Sequence, residues 1–101
     1  MDKTSDSYLN QAFEILGKRW NGLIISVLMS GEKRFSDIAD LIPQISSRML
    51  AQRLKELEQH GVIERTVYPE TPVRILYSLT ECGQDLAPAL EEIEHWAERW
   101  F

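Results

Sequence analysis

The stretch ISSRMLAQRLKELEQHG, residues 45–61, decides how the rest of the chain is read. Met49, Leu50, Leu54 and Leu57 recur at spacings of three and four, so one apolar stripe faces a core while Arg48, Gln52, Arg53 and Lys55 point away from it. Ser46 or Ser47 can cap the first free amides, and Gly61 supplies the left-handed residue that ends helices. The spacing therefore predicts an amphipathic helix with both ends defined and a basic, hydrogen-bonding outer face. It is followed by VIERTVYPETPVRILYSLT, two runs rich in β-branched and aromatic residues around a Pro-bounded turn, the pattern of a hairpin. A helix bearing Arg, Gln and Ser next to a hairpin implies a winged helix-turn-helix whose helix enters a DNA major groove.

Working back toward the N-terminus, Pro43 stops a short segment in which Ser36 is the expected N-cap and Asp37 sits in the first turn, where the helix dipole favours an anion. Ile38, Ala39, Leu41 and Ile42 form its apolar side, and the few residues from Pro43 to Ile45 are the connection a helix-turn-helix needs. Before it, Trp20, Leu23, Ile24, Val27 and Leu28 predict a helix over 20–29, apolar nearly all round and therefore central, with Gly31 closing it. Leu9, Ala12, Phe13 and Leu16 predict a shorter first helix from Tyr8, closed or bent at Gly17. Residues 1–7 lack periodicity and read as a loose tail ending in a cap at Ser5, Asp6 or Ser7.

Beyond the decisive stretch, strands are expected over 62–68 and 73–79, with Val73, Ile75, Tyr77 and Leu79 alternating with Arg74, Leu76 and Ser78 so that Arg74 is exposed. Thr80 caps a last helix whose Leu86, Leu90, Ile93, Ala97 and Trp100 make a seam for another helix, with Pro88 kinking it or loosening its first turn. The fold class expected is thus mainly α with a small β-hairpin, α+β. The 101 residues read as a single domain: tail 1–7, helix-turn-helix 36–60, wing 62–79 and final helix 80–101.

A hydrophobic fraction of 44% with 27% charged residues excludes a disordered or fibrous chain. The longest apolar run, Leu23 to Met29, is far short of the ~18 residues of a membrane span, and the N-terminus does not resemble a signal peptide. A cytoplasmic protein without a membrane partner is expected, and the single cysteine agrees with a reducing compartment. The net charge of −5 appears unsuited to DNA, but it is segregated. Residues 17–55 carry seven cations against three anions, a net +4, whereas residues 81–101 carry six anions against Arg99, a net −5. The local field of the middle segment is what a phosphate would meet.

Catalysis finds no support: His60 and His95 stand apart, Cys82 has no neighbouring His, and no Gly-rich phosphate loop or metal-ligand pair occurs. No cofactor or metal is expected, and His60 reads as a helix C-terminal residue favoured by the dipole. Arg48, Gln52 and Arg53 are the candidates for base edges, since Arg matches guanine and Gln adenine. Lys33, Ser36, Ser46, Ser47, Lys55, Arg65 and Arg74 complete the DNA-binding set, chiefly as phosphate contacts, with Arg74 carried toward the minor groove by the wing. At least one of Arg48 and Arg53 is expected to form a structural ion pair, with Glu56 or another acid. Cys82, near a helix N-terminus, reads either as a redox-tuned thiol or, preferred here, as a small buried hydrophobe facing the wing. Trp20, Trp96 and Trp100 read as core and interface in preference to a ligand pocket.

The succession LGKRW (16–20), RFSDI (34–38), ISSRMLAQRLKELEQHGVIER (45–65), VYPETPVR (67–74) and YSLTECG (77–83) resembles the HxlR family, bacterial winged helix-turn-helix transcriptional regulators of the wider MarR-like type. The resemblance spans roughly residues 12–100. It implies homodimers joined through the first and last helices, with two recognition helices presented to a pseudo-palindromic operator. On that arrangement the dimerisation residues are Leu9, Phe13, Leu16, Leu86, Leu90, Ile93, Ala97 and Trp100. Many relatives carry a sensing cysteine just before or within the first helix, where this chain has Ser7-Tyr8-Leu9-Asn10. No effector can be read from the residues. The competing class is a winged helix that binds protein instead of DNA, suggested by the acidic total.

Overall fold

A computed structural model describes residues 7–101; most of the tail expected over 1–7, including Ser5 and Asp6, lies outside the described residues. Five helices and a two-stranded antiparallel hairpin follow one another: α1 (Tyr8–Leu16), α2 (Asn21–Leu28), α3 (Phe35–Leu41), α4 (Ser47–Gln59), β1 (Ile63–Tyr68), β2 (Arg74–Leu79) and α5 (Glu81–Trp100). The fold is α+β. Ser7 caps α1 by accepting from the Asn10 amide at 3.0 Å, and Ser46 caps α4 by accepting from Met49 at 3.1 Å. Gly61, at φ 75°, turns the chain out of α4 into β1, as a left-handed residue must.

The core lies where α2, α3, α4 and the base of the hairpin meet. Ile24, Ile25, Ile38, Leu50, Leu54, Leu57 and Ile63 are buried there. The hairpin register pairs Ile63 with Leu79 and Tyr68 with Arg74. Lys33 extends the sheet by one rung, its backbone exchanging hydrogen bonds with Tyr77 at 2.9 and 2.8 Å.

Several expectations shift. Helix α2 starts at Asn21 because Trp20 has φ 83°, a backbone conformation rare for a bulky side chain, and stands outside the helix. Within α2 the buried set is Asn21, Ile24, Ile25 and Leu28, with Leu23 exposed, so one side of the helix is open. In α3 the start falls two residues before the expected Ser36: Arg34 occupies the N-cap position and the Asp37 carboxylate accepts from its amide at 3.2 Å. Leu41 is exposed while Ile38 and Ile42 are buried. In the hairpin, Val73 lies outside β2 and is exposed, and Leu76, expected outward, is buried. Leu76 and Leu79 point to opposite faces, yet α2, α3 and α5 all pack against β2 and cover both.

Helix α5 is tied to the hairpin at its start. Thr80 accepts from the Gly83 amide at 3.2 Å, and its hydroxyl reaches the Gly61 and Val62 carbonyls at 2.6 and 3.0 Å. Gly83 is buried, and a Cβ there would collide with the Val62 carbonyl and the Leu79 side chain. The close approach requires glycine. Helix α5 runs on through Pro88, which has no amide to donate to the Gln84 carbonyl.

Candidate nucleic-acid interface

With Leu50, Leu54 and Leu57 directed into the core, helical spacing leaves Ser47, Arg48, Ala51, Gln52 and Lys55 on the opposite edge of α4. Among the described residues the side chains of Ser47, Arg48 and Lys55 make no hydrogen bond or ion pair within the molecule. Arg65 on β1 is likewise unengaged, and it borders one hollow together with Ala51, Lys55, Glu58 and Tyr77. Arg48, Lys55 and Arg65 therefore form an open cationic edge running from the recognition helix to the first strand of the wing.

Arg53 does not belong to that edge. It lies on the flank of α4 that meets the α1–α2 linker, with its side chain only 15% exposed. Its Nε donates to the Arg19 carbonyl at 3.1 Å and its Nη1 to Glu56 Oε1 at 2.9 Å. The expected structural pairing of one α4 arginine is thus present, with Glu56, at the three-residue spacing a helix brings together. The same carboxylate receives Lys18 Nζ at 3.4 Å and, on Oε2, Gln52 Nε2 at 3.3 Å. The hydrogen bond from Gln52 lowers the Glu56 pKa most, partial burial pushes back, and Arg53 and Lys18 lower it further.

The remaining candidates divide in the same way. Ser46 is committed to its cap. Ser36, in the first turn of α3, is exposed. Lys33 turns its ammonium to Ser30 Oγ at 3.0 Å and the Gly31 carbonyl at 3.4 Å. Arg74 is half-buried, not free: it donates to both Glu70 oxygens at 3.3 and 3.0 Å and lies 4.4 Å from the Tyr68 ring centroid. That hydrogen bonding holds the Glu70 carboxyl below its ordinary range, with the charges of Arg74 and Arg34 adding to it, and raises Arg74. The turn between them contains a cis Thr71–Pro72 bond.

On the other side of the molecule α1 contributes no buried residue, and Leu9 and Phe13 are 69% and 54% exposed. Leu16, Leu86 and Leu90 pack partly against their own core, whereas Ile93 is half-exposed and Trp100 is 68% exposed. Trp96 meets Phe101 edge-on with centroids 5.5 Å apart, and Trp20 packs on the core under the Arg19 guanidinium, 4.4 Å away. Cys82, read from the sequence as buried, is exposed. It is the neighbouring Gly83 that turns inward at the start of α5, which leaves Cys82 at the mouth of a hollow of about 300 Å³ shared with Ala12, Ile15, Leu16 and Leu86.

No helix among the described residues is long and apolar enough to cross a membrane. Lys18 and Arg19 as partners of α4, and the Glu70–Arg74–Tyr68 cluster, went unseen in the sequence. The first lie 38 and 34 residues from their partners, with no local signal; Glu70 and Arg74 are four apart, but across a turn where that spacing carries no rule.

A model of the HxlR-like helix-turn-helix matches residues 15–101. The HTH-type transcriptional regulator YodB of Bacillus subtilis (strain 168) is 53% identical over 100 residues, covering 99% of this chain and 89% of the relative. The solved reduced form of YodB superposes with a TM-score of 0.84 at 54% identity, covering 93% of each chain. A transcriptional regulator of the MarR family from Porphyromonas gingivalis W83 superposes with a TM-score of 0.92 at 30% identity, covering 100% of this chain and 99% of that one.

Proposed function

The chain belongs to the HxlR-like helix-turn-helix family, a family of transcriptional regulators, and on that premise we propose that it binds a pseudo-palindromic operator as a homodimer. Each α4 enters a major groove and each wing lies at the adjacent minor groove. The observation that carries this reading is the open edge of Arg48 and Lys55 on α4 and Arg65 on β1, exposed cations left without internal partners among the described residues. Arg48 is the base reader, while Ser36, Ser47, Lys55 and Arg65 hold phosphates. Joining α1 and the outer part of α5 of two copies covers Leu9, Phe13, Ile93 and Trp100. It also sets the recognition helices about 34–36 Å apart, one turn of DNA, and keeps the acidic residues of α5 off the duplex. Work on the chromosome places the protein in the cytoplasm.

The solved relative is described in a reduced form, so redox chemistry is the class of effector to consider. In this chain the effector would be a two-electron oxidant acting on Cys82, the one thiol in the sequence and an exposed one: two Cys82 thiols from two chains give up two protons and pass two electrons to the oxidant as the disulfide forms.

Selection of duplexes from a random pool, followed by titration at several salt concentrations, tests the function. A selected duplex should bind about 10³-fold or more tighter than random DNA, with affinity falling steeply as salt rises. A protein that enriches no duplex would instead be the protein-binding winged helix.

A further inference from the structure

The carboxylate of Glu56 gathers three donors that belong to two parts of the molecule. Gln52 and Arg53 lie on its own helix, whereas Lys18 lies in the four-residue linker between α1 and α2. Arg53 makes the same crossing independently through the Arg19 carbonyl. A helix-stabilising pair would need only the contacts within α4. The additional reach to two consecutive linker residues is a strap between elements more than thirty positions apart.

Helix α1 buries no side chain completely: only Ile15 and Leu16 at its C-terminal end pack partly on the core, and Asn21 Nδ2 donates to the Ile15 carbonyl at 2.8 Å, so α1 is held at the end that runs into the linker. At the far end of that linker Trp20 adopts φ 83°, with the Arg19 guanidinium stacked on its ring. The turn brings the Arg19 carbonyl and the Lys18 ammonium to the α4 flank. On the opposite edge of the same helix stand Arg48 and Lys55.

We propose that Glu56 is a positioning residue for DNA reading: by drawing Lys18, Gln52 and Arg53 to one carboxylate it fixes the pose of α4 against the α1–α2 linker, so that the dimer-side helix and the reading helix move together. This rests on the reading of α4 as the recognition helix. Glu56 itself touches no base. It acts through the helix that carries Arg48, and it transmits to that helix any displacement of α1.

The test compares the full chain with Glu56→Gln, Lys18→Met and the double variant. The probes are the duplex that the unaltered protein enriches and a scrambled duplex of the same composition. Glu56→Gln should weaken the selected duplex about tenfold while leaving the scrambled one within about twofold, and Lys18→Met should reproduce part of that loss. The double variant should be no weaker than Glu56→Gln alone, because both remove one strap. The salt slope should not change. Equal weakening on both duplexes with a slope lower by about one for Lys18→Met would make Lys18 a phosphate contact and overturn the proposal. Additive losses, or no loss in Glu56→Gln, would do the same. Should Glu56→Gln fold poorly, Lys18→Met decides by the same criteria.

Amide exchange without DNA supplies the second readout. In Glu56→Gln the amides at the end of α1 and those around Gln52 should lose protection together. A loss confined to α4 would reduce Glu56 to a local helix contact. If the unaltered protein enriches no duplex, the DNA-positioning role falls together with the DNA reading, and persistence of the coupled exchange would show that it was the reading and not the strap that failed.

Discussion

The helix-turn-helix with its wing and the pair formed by α1 and the outer half of α5 are equally amphipathic in sequence, yet only the first closes a core. Leu50, Leu54 and Leu57 of α4 are at most 1% exposed, whereas α1 buries no residue fully, α5 only Gly83, and Leu16, Leu86 and Leu90 are covered in part. An apolar stripe states that a face will be covered but not by which chain. The half complete in one chain holds the open cations, and the incomplete half is where a second copy would finish the fold.

Ile93→Asp breaks this comparison most sharply. A charge in the middle of the exposed seam should shift sedimentation from twice the chain mass to the single mass. Losing the linked second half-site should weaken the full operator by about 10²- to 10⁴-fold. A variant that remains dimeric, or a monomer that binds the full site undiminished, would show that the α1 and α5 face is not the joint.

Leu54→Ala probes the closed half. Truncation at a site packed on every side should cost about 2–5 kcal/mol, read from urea unfolding. A loss below about 1 kcal/mol would mean that the body is no better closed than the α1 and α5 pair.

The same contrast recurs among the cations. Arg48 and Arg74 each follow a turn-forming stretch and each read as exposed, but Arg48 has no internal partner while Arg74 is held by Glu70 and Tyr68. Arg48→Ala should therefore cost about 1–3 kcal/mol on the selected duplex and relax its preference at one base position. For Arg74→Ala a loss within about 1 kcal/mol is expected, since reaching the minor groove first requires leaving an existing ion pair. A larger loss for Arg74 than for Arg48, with a shortened footprint at the outer flanks, would reverse the ranking.

These outcomes bear on how far the residues alone could be read. Helix α4 was legible at both ends because Ser46 and Gly61 act within a few residues of themselves, and Thr80 likewise marks the start of α5. The start of α3 was not, since a serine and an aspartate can each accept from a backbone amide and only the fold shows that Asp37 reaches back to Arg34. Trp20 at positive φ and Leu76 on a doubly covered strand depend on neighbours distant in sequence. At the candidate site the residue types were legible but their engagement was not. The Arg53–Glu56 pair could be anticipated from its spacing, whereas the Arg19 carbonyl that holds Arg53 off the reading edge and the Lys18 ammonium that joins Glu56 could not.

The smallest effect expected separates the two carboxylates that hold these arginines. Glu56 and Glu70 both have pKa values lowered from about 4.5, each chiefly by a side-chain hydrogen bond, from Gln52 in one case and Arg74 in the other. A lowered carboxylate binds fewer protons folded than unfolded. Its contribution is therefore present above the ordinary value and lost as pH falls below about 4.5 through the folded pKa. Nothing from these two groups should vary between pH 6 and 8, on the order of two units above that window. The two should differ in what is lost. Glu56 joins α4 to a linker 38 residues away, so Glu56→Gln should flatten part of the acid decline in whole-chain unfolding. Glu70 bonds Arg74 inside the wing and meets only the charge of Arg34 from outside it, so a wing that opens on its own carries less of this contribution into whole-chain unfolding: Glu70→Gln should flatten the decline less than Glu56→Gln and change amide exchange chiefly near Arg74. Both side chains are partly exposed and the shifts in midpoint will be slight. Identical acid declines for the two variants would show that the Glu56 contacts tie no more of the molecule together than the wing pair does.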